Sequence, residues 1–178
     1  MSIKTKLLNL LGRTPYSVER LRAAGVTVGD NVYCGSRRID LDHGFLIKIG
    51  DDVVLSDCRI LCHDASTKRP LGYSRVGRVI IGNHVYVGAD AIIMPGVKIG
   101  DYSIIGAGAI VTKDVPAHSV AVGCPAKVIS TYEDYISKCK KMMDDGAPIY
   151  TTYSANKSKE EKLQMQTDLM NGGIGFDV

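Results

Sequence analysis

The stretch from Ile81 to Pro116 repeats every six residues, and no other feature of the chain limits its fold so tightly. It divides into IGNHVY, VGADAI, IMPGVK, IGDYSI, IGAGAI and VTKDVP. Each unit opens on an aliphatic residue: Ile81, Val87, Ile93, Ile99, Ile105 and Val111. The fifth positions, Val85, Ala91, Val97, Ser103, Ala109 and Val115, are small or β-branched, and Gly fills the second position in four of the six units. A helix repeats its apolar residues at 3.6 and a plain strand at 2, so a strict period of six fits neither alone. It fits short strands separated by corners. One such unit cannot bury its own apolar face, so units must stack into coils, as in a parallel β-helix.

The same beat begins faintly at Val28 with VGDNVY and is disturbed from Arg37 to Phe45. The disturbance adds three residues and carries Asp40, Asp42 and His43. The beat returns at Ile49 as IGDDVV, LSDCRI and LCHDAS. An excursion without hexads follows, TKRPLGYS from Thr67 to Ser74, within a protruding loop over 67–80 whose end is back in register with Val79 inward. Lys68, Arg69, Arg75 and Arg78 make this loop the one local basic cluster, and loops on a stiff scaffold tend to carry function. A basic loop suits an anionic acceptor.

Residues 1–25 read as an N-terminal helical cap, with a short amphipathic run at Leu8 to Leu11, Thr14 as N-cap, Pro15 as first helical residue, and Gly25 as the stop. A helix there covers the open edge of the first coil. Residues 26–129 form the solenoid domain, ended by Gly123 and Pro125. Residues 130–178 hold an amphipathic helix from Thr131 to Asp145, with Tyr132, Tyr135, Ile136, Cys139 and Met143 on one face. A polar, partly disordered tail follows, with a short helix over Lys159 to Met170.

At 178 residues the chain suits one compact unit with appendages. Its formal charge of +3 is too small to argue for nucleic acid. No apolar run is long enough to span a bilayer, and the N-terminus lacks the pattern of a signal peptide. Five cysteines, an odd number with no CxxC, point to a reduced, cytoplasmic chain.

The hexads, together with CHDAS before the excursion, GAGAIVTKD near the end of the repeats and GCPAKVI closing them, resemble the hexapeptide-repeat acyltransferases over roughly Val28 to Ile129. The order of these motifs is similar to the xenobiotic, galactoside and maltose O-acetyltransferase branch. The resemblance implies a mainly β fold in which three units make one turn of a left-handed parallel β-helix. It implies acetyl-CoA as cosubstrate, no metal, and a homotrimer with each site between neighbouring chains. The base of that branch corresponds to His63. The acetyl-CoA contacts fall on Ala89, Ala107, Thr112, Lys113 and Lys127. Tyr86 stands where the branch usually carries Trp at the acceptor wall, and the acidic acceptor residue corresponds to Asp42 or Asp40, of which Asp42 is the choice. Small residues at Ala89 and Ala107 would let an extended pantetheine lie close, while the lysines offer cations to its phosphates.

A sugar hydroxyl is not ionised at neutral pH and a thioester is already activated, so a ternary complex with one positioned base suffices. An imidazole, with an unperturbed pKa of about 6.5, suits that task. The rival is an acyl-enzyme at Cys62. Its only nearby base is its sequence neighbour, and adjacent strand residues point to opposite faces. GAGA at Gly106 to Ala109 lacks the strand, helix and full GxGxxG of a dinucleotide site. A γ-carbonic-anhydrase-like metal enzyme would need three histidines brought together from neighbouring coils and chains. His43, His63, His84 and His118 show no such spacing, and His84 reads as a corner side chain. A non-catalytic scaffold would leave His63 without purpose, and N-acetylation of an amino sugar stays open beside O-acetylation.

Overall fold

The computed structural model describes residues 14–178; the Leu8 to Leu11 run lies outside them. Helix α1 (Val18–Ala23) begins later than Thr14 and Pro15 suggest, because the Ser17 hydroxyl takes the cap and accepts the Arg20 N–H at 3.2 Å. Gly25 ends it at φ +86°. The one buried residue of the helix is Leu21, which joins Val26 and Val28 in the core.

From there the chain visits three parallel sheets in rotation. The first holds β1 (Thr27–Val28), β4 (Ile47–Ile49), β9 (Val79–Ile81) and β12 (Lys98–Ile99). The second holds β2 (Tyr33–Cys34), β5 (Val54–Leu55), β10 (Tyr86–Val87), β13 (Ile104–Ile105) and β15 (Ser119–Val122), and the third β3 (Arg38–Ile39), β6 (Arg59–Ile60), β11 (Ile92–Ile93) and β14 (Ile110–Val111). In the regular block, partners lie 18 residues apart in all three sheets: Ile80 with Lys98, Tyr86 with Ile104, and Ile92 with Ile110. That is three hexads per coil. All six openers and all six fifth positions are buried between the sheets.

Earlier coils depart from eighteen. Thr27 pairs with Lys48, Tyr33 with Val54 and Arg38 with Arg59, a spacing of 21 that carries the extra three residues. The unit LSDCRI is one residue shorter inside than its letters suggest. Cys58 and Ile60 point inward, where a regular unit from Leu55 would place Arg59 and Leu61. Ser36 does the same in the coil before, and its hydroxyl donates to the Cys58 carbonyl at 2.5 Å. Two successive short corners therefore stack on each other.

One edge of the solenoid carries a column of residues with positive φ: Asn31, Asp52, His84, Tyr102 and His118. Asn31 donates to Asp52 at 2.6 Å, Asp52 lies 3.5 Å from His84, and the rings of His84, Tyr102 and His118 stack at 4.5 and 5.1 Å. His84 is thus a corner side chain, as its place in the hexad implies. The second sheet ends with β16 (Lys127–Thr131), antiparallel to β15.

Two compact units divide at Tyr132, the second being Glu133–Val178. Helix α3 (Tyr132–Asp144) matches the amphipathic segment, but none of its residues is buried. The tail is more ordered than its polarity suggests. β17 (Ile149–Tyr150) pairs in parallel with β18 (Phe176–Asp177), and α4 (Lys159–Asp168) starts in a reciprocal capping box between Ser158 and Glu161. Lys157 is buried there with its ammonium 2.6 Å from Asp177. Among the described residues no helix is long and apolar enough to cross a membrane.

Candidate active site

Where the third sheet turns toward the first, the extra residues after β3 and the excursion after β6 leave the solenoid side by side. The Asp40 N–H donates to the Ile60 carbonyl at 3.0 Å, which fixes Asp40 against the neighbouring coil. Its side chain is only 4% exposed. One oxygen, Oδ2, lies 2.5 Å from His63 Nδ1 and accepts the Cys62 N–H at 3.2 Å. The other, Oδ1, accepts the His43 N–H at 3.3 Å and lies 3.4 Å from His43 Nδ1. Burial works against the charge on Asp40, but the hydrogen bonds from His63, Cys62 and His43 outweigh it and hold the carboxyl below its ordinary range.

An ionised carboxylate only accepts, so the proton of neutral His63 sits on Nδ1 and leaves the Nε2 lone pair free. The ring is about one third exposed and can reach a substrate. His43 and His63 have ring centroids 4.7 Å apart. Spacing in the sequence concealed that pair. Asp40, rather than Asp42, is the carboxylate brought to His63, while Asp42 is exposed. Register decides this: Ile39 pairs with Ile60, which sets Asp40 beside the Cys62 amide.

Cys62 is a poor rival. Burial, aided by the nearby Asp40 charge, pushes its thiol up to about 11, so it stays protonated at neutral pH, and it points into the core. Burial likewise pushes Cys58 up to about 12. No third histidine joins His43 and His63 among the described residues that could hold a metal.

The excursion is a built element. Its base is a hairpin of β7 (His63–Asp64) and β8 (Arg75–Val76), so it starts earlier and closes sooner than 67–80. Asp64 accepts the Ser66 N–H at 2.9 Å, the one-turn helix α2 (Lys68–Leu71) follows, and the Thr67 hydroxyl donates to the Tyr73 carbonyl at 2.8 Å. Lys68, Arg69, Leu71 and Tyr73 are exposed at its tip. A groove of about 370 Å³ between this hairpin and the next coils is lined by Asp64, Arg75, Gly77, Gly96 and Thr112.

The other expected contacts divide between two edges. Thr112 and Lys113 follow β14 at the same edge as His63. Ala89 and Ala107 sit where the second sheet turns into the third, stacked through Gly108 N–H to the Ala89 carbonyl at 2.8 Å. A Cβ on Gly88 would come within 2.5 Å of the Ala107 nitrogen, so glycine keeps this corner tight. Lys127 pairs with Val122 on the last strand of the second sheet. Tyr86 projects from the second sheet, a sheet away from His63.

The family model described as bacterial transferase hexapeptide (six repeats) matches residues 78–113. A provisionally named acetyltransferase of Staphylococcus aureus (strain MRSA252) is 36% identical over 134 residues, covering 62% of this chain and 67% of the relative. The galactoside O-acetyltransferase of Escherichia coli (strain K12) is 37% identical over 117 residues, 62% of this chain and 56% of the enzyme. Matches to several such relatives span less than two thirds of their length. Among solved structures, a galactoside acetyltransferase in complex with coenzyme A superposes with a TM-score of 0.52 at 33% identity, covering 64% of this chain and 58% of that one. A maltose O-acetyltransferase from Clostridium difficile 630 gives 0.50 at 29% identity, covering 71% and 83%. With three hexads to each coil and a histidine held at the root of the excursion, this chain belongs to the hexapeptide-repeat acetyltransferases.

Proposed function

We propose that the chain is an acetyl-CoA-dependent O-acetyltransferase acting on a hydroxyl of a sugar or polysaccharide precursor, built on a left-handed parallel β-helix with an N-terminal helical cap. The observation that carries it is the buried Asp40 holding His63 by Nδ1, which leaves Nε2 as a positioned base at the root of a protruding hairpin. His63 takes the acceptor hydroxyl proton as that oxygen attacks the thioester carbonyl carbon, and returns it to the sulfur as the carbon–sulfur bond breaks. Asp40 keeps the ring in the required tautomer and stabilises the imidazolium between the two transfers. Thr112 and Lys113 at the edge that carries His63, and Ala89, Ala107 and Lys127 at the other edge, are the residues assigned to acetyl-CoA. Relatives named for galactoside and maltose O-acetylation favour a sugar hydroxyl over an amine.

The two edges suggest that sites form between chains of a homotrimer, with His63 from one chain and the Ala89 and Ala107 corner from a neighbour. The test is CoA release from acetyl-CoA across hydroxyl and amino acceptors, with the products identified by mass. Turnover on a sugar hydroxyl that falls at least about a hundredfold in His63→Ala, with CoA affinity held, supports the reading. Turnover on amines alone, or more than a tenth of activity left in His63→Ala, overturns it.

A further inference from the structure

The proposed reaction uses His63 and Asp40 and leaves His43 without a task. His43 lies with its Nδ1 3.4 Å from the second oxygen of the same carboxylate and its ring 4.7 Å from that of His63. One ligand atom from each of Asp40, His43 and His63 can be chosen so that all three lie within 4.8 Å of one another. We propose that these three side chains form a zinc site that switches the transferase off by capturing its base. This rests on His63 being that base.

Geometry and donor chemistry both favour zinc. Ligand atoms on a tetrahedron with bonds of 2.0–2.2 Å are about 3.4 Å apart. Asp40 Oδ1 and His43 Nδ1 already have that separation, and one ligand atom from each of the three residues can be chosen with no pair more than 4.8 Å apart, so side-chain rotation can close the set. Two imidazoles and one carboxylate suit zinc rather than magnesium or calcium, which prefer oxygen ligands. Three protein ligands leave a fourth position for water. The carboxylate is also held from behind, since Oδ2 accepts the Cys62 N–H and Oδ1 the His43 N–H. The ligands stand on neighbouring coils tied by backbone hydrogen bonds, so binding needs little reorganisation.

The consequence for catalysis is direct. Zinc would take the Nδ1 lone pair of His63, so the one proton of the neutral ring moves from Nδ1 to Nε2. Nε2 then carries a proton and has no lone pair to receive another. Substrate can still bind, but the hydroxyl proton has no acceptor.

The test uses the full chain carrying Cys124→Ser, so that the exposed thiol adds no ligand. Free zinc is fixed with a nitrilotriacetate buffer, so that released CoA does not deplete it, and acetylated acceptor is measured by mass. Expected are one zinc per chain by equilibrium dialysis, loss of turnover along the same saturation curve, and full recovery with chelator. His43→Ala should keep metal-free turnover within about threefold and need about 10- to 100-fold more free zinc for half-inhibition, the usual scale for losing a supporting group at a metal site. His43→Gln, closer in volume, is the second variant if His43→Ala folds poorly, and the same shift is expected. No bound zinc at about 100 µM free metal, binding without inhibition, higher turnover with zinc, or an unshifted half-point in both variants would each overturn the proposal. If His63→Ala keeps its metal-free activity the base assignment fails, whereas zinc bound by the parent chain and lost in the His43 variants is judged separately.

Discussion

Replacing Asp40 by Asn changes one atom at the centre of four hydrogen-bonding contacts. Oδ2 faces two donors, His63 Nδ1–H at 2.5 Å and Cys62 N–H at 3.2 Å, and Oδ1 faces the His43 N–H at 3.3 Å and His43 Nδ1 at 3.4 Å. An amide has one oxygen, so either orientation turns NH₂ toward a backbone N–H. With nitrogen in the Oδ2 place, the amide meets the Cys62 N–H and drives His63 to the other tautomer, whose Nε2 carries the proton and cannot act as base. With oxygen there the tautomer survives, but the imidazolium loses its counter-charge and the His43 N–H faces NH₂. Either way turnover should fall by about 10²- to 10⁴-fold, or about 2.7 to 5.4 kcal/mol of barrier. The lost charge-assisted bonds should also cost about 1.5 to 3 kcal/mol of stability. The assay is initial-rate CoA release under saturating acceptor, with CoA affinity by calorimetry and a urea midpoint on the same sample. Asp40→Asn keeping more than a tenth of parent turnover, with CoA affinity unchanged, refutes the role given to the pair.

Other outcomes can be checked on the same protein. Thiol reagents at pH 8 should label exposed Cys124 first and reach Cys58 and Cys62 only in denaturant, and Cys62→Ala should keep more than a tenth of turnover; early labelling of Cys62 would contradict its burial and raised pKa. Neutralising Lys68 and Arg69 together should raise KM for an anionic acceptor severalfold and leave that for acetyl-CoA little changed; the reverse pattern would assign the hairpin tip to the donor. The Thr152 hydroxyl, followed by the Ser158 N–H, holds Glu161 below its ordinary range, so its contribution to α4 is full above about pH 4.3 and is lost as pH falls through the lower folded value. Helicity between pH 5 and 2 should report that loss, and Glu161→Gln should remove this part of the pH dependence.

Inward positions were readable from the sequence wherever the period of six is strict, because a residue that must face inward every sixth place has few substitutes. Where the period slips, pattern alone is ambiguous. Ile60 and Leu61 are both aliphatic, and only the pairing of Arg38 with Arg59, supported by Ser36 on the Cys58 carbonyl, makes Ile60 the inward one. The same pairing brings Asp40, and not Asp42, against His63, although the two differ by only two residues in a segment with no periodicity of its own. His43 was hidden for another reason. The short turn Gly44–Leu46 folds the extra residues back, and Gly44 permits it because a Cβ there would run into the Ala24 carbonyl oxygen. A glycine two residues beyond an isolated aspartate carries no such information until the neighbouring helix is in place. His63 was legible from its motif, but the carboxylate that holds its Nδ1 came from a coil 23 residues earlier.

Whether the two edges work together within one chain or across a trimer can be decided by complementation. The third sheet separates them, and six strand residues span at most about 20 Å at 3.3 Å each. An extended pantetheine with its nucleotide can cover that distance, so length alone does not choose. Consider His63→Ala, which lacks the proposed base, and Ala107→Trp, which blocks the other corner. In a site made within one chain, every site in a mixture carries one defect or the other, and refolding the two variants together restores nothing. In a site made between neighbours, it works when an Ala107→Trp chain supplies His63 and a His63→Ala chain supplies the open corner. Random assembly of equal amounts into a closed trimer gives that arrangement in about one site in four. Co-refolded material should therefore recover about a quarter of parent turnover, while the same variants mixed after folding should recover none. Failure of the co-refolded mixture to rise above its components, with trimers present by sedimentation, would place His63 and Ala107 in the site of a single chain.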